Sequence, residues 1–271
     1  MKRTRTVFEA RSAVSGRIRV VDAPRERRLV VAGDTLSAMP LDGDWTRLRR
    51  EYWWQALTAV PLPPRPRVLF VGLGGGTQLH LLTRLTRPRA IAVIERDEAI
   101  LRVARDWFGL GALGGVEYLC GAAETIVPWL GRARRSFDYV MEDAAYAEAP
   151  ERGQPLALAL AGLVARDGVL VLNRHRRTDA AQVAALLAPR FARIVRRRVR
   201  RSGDNVLVCC IGARVAPGGA GCAVGRGAAR AVSAGADGAG GDGEAAGAAA
   251  AVPAPGPARA APLRLAAAAC T

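Results

Sequence analysis

Residues 68–77 read Val-Leu-Phe-Val-Gly-Leu-Gly-Gly-Gly-Thr, and no other stretch constrains the fold of this chain as tightly. Val68–Val71 is apolar throughout, with no alternation of polar positions, so both of its faces must be covered. That pattern belongs to a buried parallel strand. The strand runs into glycines at 72, 74, 75 and 76, which allow a tight bend and bare main chain against a ligand. Thr77–Leu85 then has helical spacing.

The pattern repeats downstream. Ala90–Ile94 reads as a second buried strand, and Asp97–Phe108 as a helix with Ile100, Leu101 and Ala104 on one face. Val116–Cys120, Tyr139–Met141 and Val169–Leu172 supply further strands, with helices near Glu124–Leu130, Pro155–Val164 and Asp179–Leu187. Ala192–Val199 and Val206–Ile211 flank a turn at Ser202-Gly203-Asp204-Asn205 and form a closing hairpin. Alternating strands and helices with right-handed crossovers make a doubly wound sheet. The closing hairpin predicts a Rossmann-like α/β class I methyltransferase fold, a mostly parallel seven-stranded sheet, rather than a plain dinucleotide domain.

Residues 1–63 look different. Arg17–Val21, Arg28–Ala32 and Thr35–Met39 read as short strands of an N-terminal β appendage. A helix from Arg47 to Ala59 follows, ended by Pro61, Pro63, Pro64 and Pro66. Three regions result: the appendage at 1–63, the Rossmann-like domain at 64–213, and an Ala/Gly/Pro-rich tail at 214–271. The tail has too few large apolar side chains to offset its ordering entropy and is expected to be disordered.

The formal net charge is +16, and of 40 basic residues only Lys2 is lysine. Such a charge attracts polyanions, but the arginines are dispersed except in the run Arg196-Arg197-Arg198-Val199-Arg200-Arg201. A solvated helix or hairpin edge is the simpler reading of that run, and a nucleic-acid surface is the alternative. The five cysteines (Cys120, Cys209, Cys210, Cys222 and Cys270) form no C-x-x-C pair, which argues against a disulfide framework or a zinc site. No signal-peptide pattern and no apolar run long enough to span a membrane is present, so a cytoplasmic protein without metal is expected.

The glycine run is not a G-x-G-x-x-G, because Thr77 stands where the third glycine would fall. The G-x-G-G-G form suits a ligand without pyrophosphate, such as the methionine part of S-adenosylmethionine. Glu95 ends the second strand, 23 residues after Gly72, close to the spacing of about 20 at which a carboxylate meets ribose hydroxyls. Gly72, Gly74, Gly75, Gly76 and Glu95 are therefore the candidate cofactor-binding residues. Asp143 emerges at the carboxyl end of the strand in Phe137-Asp138-Tyr139-Val140-Met141-Glu142-Asp143, where open α/β sheets bind ligands. It is the candidate catalytic residue, placed to orient or deprotonate an attacking amine. Glu142, at the end of an otherwise buried strand, needs a partner. His80 reads as packed or surface, and His175 as a secondary candidate base.

Several of these segments resemble the spermidine synthase family, especially its bacterial spermidine-synthase-like members. They are Leu36–Leu41, Thr46-Arg47-Leu48 with Tyr52, Val68–Gly76, Ala92–Asp97 and Phe137–Ala144. The resemblance implies that the glycine loop and Glu95 hold an adenosyl cofactor (S-adenosylmethionine or its decarboxylated form), that Asp143 serves catalysis, and that Tyr52 or Trp53 lies near an acceptor gate. The implied partner is a small-molecule amine acceptor, with a homodimer left open. The chain departs from the family at Leu36, where a glutamine is usual, at Ala122, where an acid meets adenine, and at Tyr146, where a second catalytic acid is expected. These departures keep in view a non-catalytic nucleoside-binding relative, and the arginine surface keeps in view a methyltransferase acting on nucleic acid.

Overall fold

The computed structural model describes residues 3–144, 153–199 and 205–214. Residues 1–219 gather into one compact unit; 220–271, most of the Ala/Gly/Pro-rich segment, lie outside the described residues, as do Tyr146 and the turn at 202–204.

Eleven strands and six α-helices are described. The N-terminal sheet is an antiparallel meander of β1 (Arg5–Ser12), β2 (Gly16–Asp22), β3 (Glu26–Val31) and β4 (Asp34–Pro40). The expected helix at 47–59 is two pieces: a 3-10 turn at Trp45–Arg50 and α1 (Tyr52–Thr58), parted at Glu51, whose backbone is extended.

The second sheet contains β5 (Arg67–Val71), β6 (Ala90–Glu95), β7 (Val116–Cys120), β8 (Phe137–Glu142), β9 (Val164–Arg174), β10 (Phe191–Arg198) and β11 (Val206–Ala213). Its order is β10-β11-β9-β8-β5-β6-β7, with β5 flanked by parallel β6 and β8 and β11 alone running antiparallel to its neighbours, β10 and β9. Helices α2 (Thr77–Leu85), α3 (Glu98–Trp107), α4 (Ala123–Arg132), α5 (Gly153–Ala161) and α6 (Arg177–Leu187) connect the strands. This is the Rossmann-like methyltransferase arrangement expected from the sequence.

Two core layers sandwich the sheet. On one face Trp45, Leu48, Trp53 and Leu57 pack with Val68, Phe70, Leu79 and Tyr139. The Tyr139 hydroxyl, fully buried, donates to the Ala56 carbonyl at 3.0 Å. On the other, Leu69, Val71, Ile94 and Val140 meet Val127, Leu130, Leu156 and Val183. A third cluster joins the two sheets: Ile18 and Val20 of β2 and Leu29 and Val31 of β3 close over Ile100, Val103 and Phe108 of the α3 segment. The appendage thus shares its apolar face with the α/β layer instead of forming a core of its own.

Candidate functional site

The site forms where β5, β6 and β8 end, and hydrogen bonds continue the sheet ladder one step past those ends. The Gly72 N–H donates to the Ile94 carbonyl at 2.9 Å and the Asp143 N–H to the Val71 carbonyl at 2.8 Å. Gly72 and Asp143 are consequently pressed together. A Cβ on Gly72, at φ +91°, would lie 2.7 Å from the Asp143 carbonyl oxygen. Only glycine fits both that conformation and that approach.

The Cβ positions of the other glycines are also taken by protein. Gly74 meets the Ser37 hydroxyl, Gly75 meets Ser37 and the Phe108 ring, and Gly76 meets Leu110. Ser37 Oγ accepts the Gly75 N–H at 2.7 Å. Thr77, standing at the absent third glycine, is buried and exchanges two hydrogen bonds with the Ala38 main chain, at 3.0 and 2.9 Å. The glycine bend is thereby fastened to β4.

Glu95 reaches back to this bend. Its Oε2 accepts the Leu73 N–H and its Oε1 the Asp97 N–H, each at 3.0 Å. Glu95 is buried, so these bonds hold the carboxylate at the bend with its remaining lone pairs unassigned. Asp97 in turn caps α3 by accepting the Ala99 N–H at 2.9 Å. The structure therefore brings Gly72, Leu73 and Glu95 together.

Asp143 is held from two sides. The Tyr52 hydroxyl donates to its Oδ2 and the Asn173 amide to its Oδ1, both at 2.8 Å. Burial pushes the Asp143 carboxyl above the usual aspartate range, while the Asn173 and Tyr52 hydrogen bonds and the His175 and Arg174 charges pull it back. Burial and the adjacent Asp143 charge keep the Tyr52 hydroxyl protonated, hence a donor. The carbonyl oxygen Oδ1 of Asn173 is buried with no hydrogen-bond partner among the described residues, an unusual state for a buried acceptor.

Glu142 has the partner it requires. Arg174 donates to its Oε2, and the Ala144 N–H donates to Oε1 at 3.0 Å. Burial nevertheless raises the Glu142 carboxyl above its usual range, against the pull of Arg174. Successive strand residues alternate faces, so the pair Glu142–Arg174 belongs to one face and the pair Asp143–Asn173 to the other.

The other residues singled out from the sequence separate clearly. Tyr52 lies at Asp143, whereas Trp53 is in the core. Leu36 is exposed, with its carbonyl beside Gly74. Ala122 precedes α4 and offers no side-chain cap. His80 is buried, bonded to the Phe108 carbonyl at 2.7 Å, and its pKa is lowered by burial. His175 is exposed just after β9. Asn173, Arg174 and Ser37 escaped the sequence reading; an amide next to a charge at a strand's carboxyl end was the one available hint. Among the described residues no group of three metal-ligating side chains occurs, and no helix is long and apolar enough to cross a membrane.

No family model matches the chain, and no curated protein matches it. Solved structures do. A probable spermidine synthase from Corynebacterium glutamicum is similar at 16% identity and TM-score 0.60, covering 75% of this chain and 79% of that one. A spermidine synthase in complex with the transition-state analogue AdoDATO has 15% identity and TM-score 0.58, covering 77% and 73%. Human methyltransferase-like protein 13 in complex with SAH has 21% identity and TM-score 0.51, covering 62% and 86%. At these identities the likeness establishes the fold: a Rossmann-like α/β domain of the class I methyltransferase type, preceded by a small antiparallel sheet.

Proposed function

We propose that the chain is a transferase that uses S-adenosylmethionine, or its decarboxylated form, to alkylate an amine. One observation carries this reading. Asp143 is fixed between Tyr52 and Asn173, beside the unpartnered oxygen of Asn173, against a glycine bend that Glu95 holds from its other side. The donor set suits such a pair of ligands. Glu95 keeps lone pairs for two ribose hydroxyls, and Asn173 Oδ1 and Asp143 are acceptors for the N–H groups of an amine. The neighbours solved with AdoDATO and SAH support a ligand of this class.

When bound, the cofactor supplies an electrophilic carbon on a sulfonium. The chain's own residues do the rest. Asp143 orients the acceptor nitrogen and takes its proton, with its raised pKa bringing it nearer to the working range of a general base. Tyr52 holds the carboxylate in place and Asn173 receives the amine. Rate then comes chiefly from alignment. Isothermal titration with S-adenosylmethionine, decarboxylated S-adenosylmethionine and methylthioadenosine tests the reading, and binding of none of the three removes it. The exposed Leu36 and the uncapped Ala122 favour a second reading, a nucleoside-binding relative without transfer. Cofactor binding without transfer to any of a panel of amines would select it.

A further inference from the structure

Away from Asp143, a groove of about 560 Å³ lies between α6 and the β10–β11 hairpin. Arg177, Arg196 and Arg198 line it with Ala180, Ile194 and Val206, and among the described residues no carboxylate lines it. β10 is the last strand of its sheet and is mostly exposed, including Arg193, Arg196 and Arg197. Arg177, Arg193, Arg196 and Arg197 enter no ion pair among the described residues. Positions two apart on a strand share a face about 6.6–6.8 Å apart, so Arg196 and Arg198 form a row beside Ile194. Arg177 opens α6, whose N-cap residue Arg176 gives no side-chain hydrogen bond, and the positive end of that helix adds to the same field.

We infer that this groove binds a nucleic-acid strand through its phosphodiester backbone. A guanidinium fork matches phosphate geometry, and a row of such groups over an apolar floor suits a chain of alternating phosphates and sugars. Among the described residues no aromatic side chain lines the groove, so bases find no stacking platform there and contact is independent of sequence.

The register places the groove at the ligand edge of the sheet. Arg174 pairs with Val206, Val206 with Arg198, and Leu172 with Glu142. Two strands, β11 and β9, separate β10 from β8, a distance of about 14 Å at the usual strand spacing. The groove lies on the α6 face of that edge, the face of Glu142 and Arg174, and is separate from the Asp143 cleft on the other face. The inference goes beyond the amine-transfer reading and stands without it.

Fluorescence anisotropy of the full chain with a labelled single-stranded oligonucleotide, in DNA and RNA versions, tests it between about 50 and 200 mM salt. The affinity is expected to fall linearly on a log–log plot. Arg177→Gln/Arg196→Gln should lose about tenfold at low salt and flatten the slope by about 1.4, two contacts at about 0.7 each. Arg102→Gln/Arg105→Gln, which removes the same charge from α3, should lose less than about twofold if local contact outweighs net charge. Equal losses in both variants would mean that diffuse charge binds, and would overturn the proposal. So would the absence of oligonucleotide binding, binding only to phosphatidylserine vesicles, or full competition by inorganic phosphate at matched phosphate concentration.

Discussion

Replacing Gly72 with alanine tests whether the approach of Asp143 to the glycine bend is a real constraint. Gly72 has φ +91°, and a Cβ there would sit 2.7 Å from the Asp143 carbonyl oxygen and 3.1 Å from its carbonyl carbon. Two penalties follow. An L-residue with positive φ costs about 1–2 kcal/mol. Overpacking costs about 1–3 kcal/mol more, and the upper end applies because the obstructing atoms are main chain, tied to Val71 by a 2.8 Å hydrogen bond. The total is about 4–5 kcal/mol, or a Tm lower by about 8–20 °C at about 2–4 °C per kcal/mol for a chain of this size. Gly33→Ala is the matched control: its φ is +99°, yet nothing lies within 4 Å of its Cβ position. It should therefore lose only the backbone part, about 1–2 kcal/mol. Differential scanning calorimetry on both variants decides the matter. If Gly72→Ala costs no more than Gly33→Ala, the two segments are not pressed together and the site as described is wrong.

Four further outcomes are expected. Asp143→Asn should leave cofactor affinity unchanged by titration while transfer falls by about 10²–10⁴-fold; in the wild type, transfer should rise with pH through a value above the usual aspartate range, because burial raises that carboxyl. The same raised pKa means that the folded state favours neutral Asp143, so its contribution to stability is complete below the usual aspartate pKa and is lost as pH rises through the raised one; the wild-type minus Asp143→Asn difference in urea midpoint should decline over that window. Arg174→Met should destabilise by about 3–5 kcal/mol in urea unfolding by stranding Glu142, and adding Glu142→Leu should restore much of it. Glu95→Gln should weaken nucleoside binding measured by titration and, since one of its two main-chain acceptors becomes a donor, cost about 1–3 kcal/mol of stability.

What could be read from residues alone followed how local the determining interactions are. Buried parallel strands announce themselves by continuous apolar runs, and the expected second-sheet strands agree with β5, β6 and β7 to within a residue at each end. β1 went unseen because three of the eight residues in Arg5-Thr6-Val7-Phe8-Glu9-Ala10-Arg11-Ser12 are charged and a register shift between Thr6 and Phe8 breaks its alternation. β9 was expected only from Val169, since Arg166-Asp167-Gly168 looks like a turn; the strand begins at Val164 and absorbs the irregularity through Asp167, at φ +61°, and a register shift opposite Phe137–Tyr139. In the candidate site, Glu95 and Asp143 were legible as candidates because Glu95 ends a strand and Asp143 follows one directly. Asn173 and Ser37 were not, because their partners lie 30 and 38 positions away and no local pattern specifies such pairing.

The glycines themselves shift the balance between ligand and protein. A run of bare residues suggests main chain opened to a cofactor, yet each missing Cβ here makes room for another segment: Asp143 at Gly72, Ser37 at Gly74, Phe108 at Gly75 and Leu110 at Gly76. The bend is thus a junction where β4, the end of α3 and the end of β8 are drawn onto one turn. Thr77 reinforces it, since a glycine there would give up both hydrogen bonds to Ala38. It follows that β4 is part of the site rather than an ornament on it, and that Ser37→Ala, which removes the acceptor of the buried Gly75 N–H, should act on the glycine bend from a different sheet. The unpaired amide should cost about 1–3 kcal/mol. Its effect on nucleoside affinity should exceed that of Thr46→Ala, an exposed residue whose hydroxyl bonds nearby Asp44; equal effects would mean that the first sheet merely leans on the second.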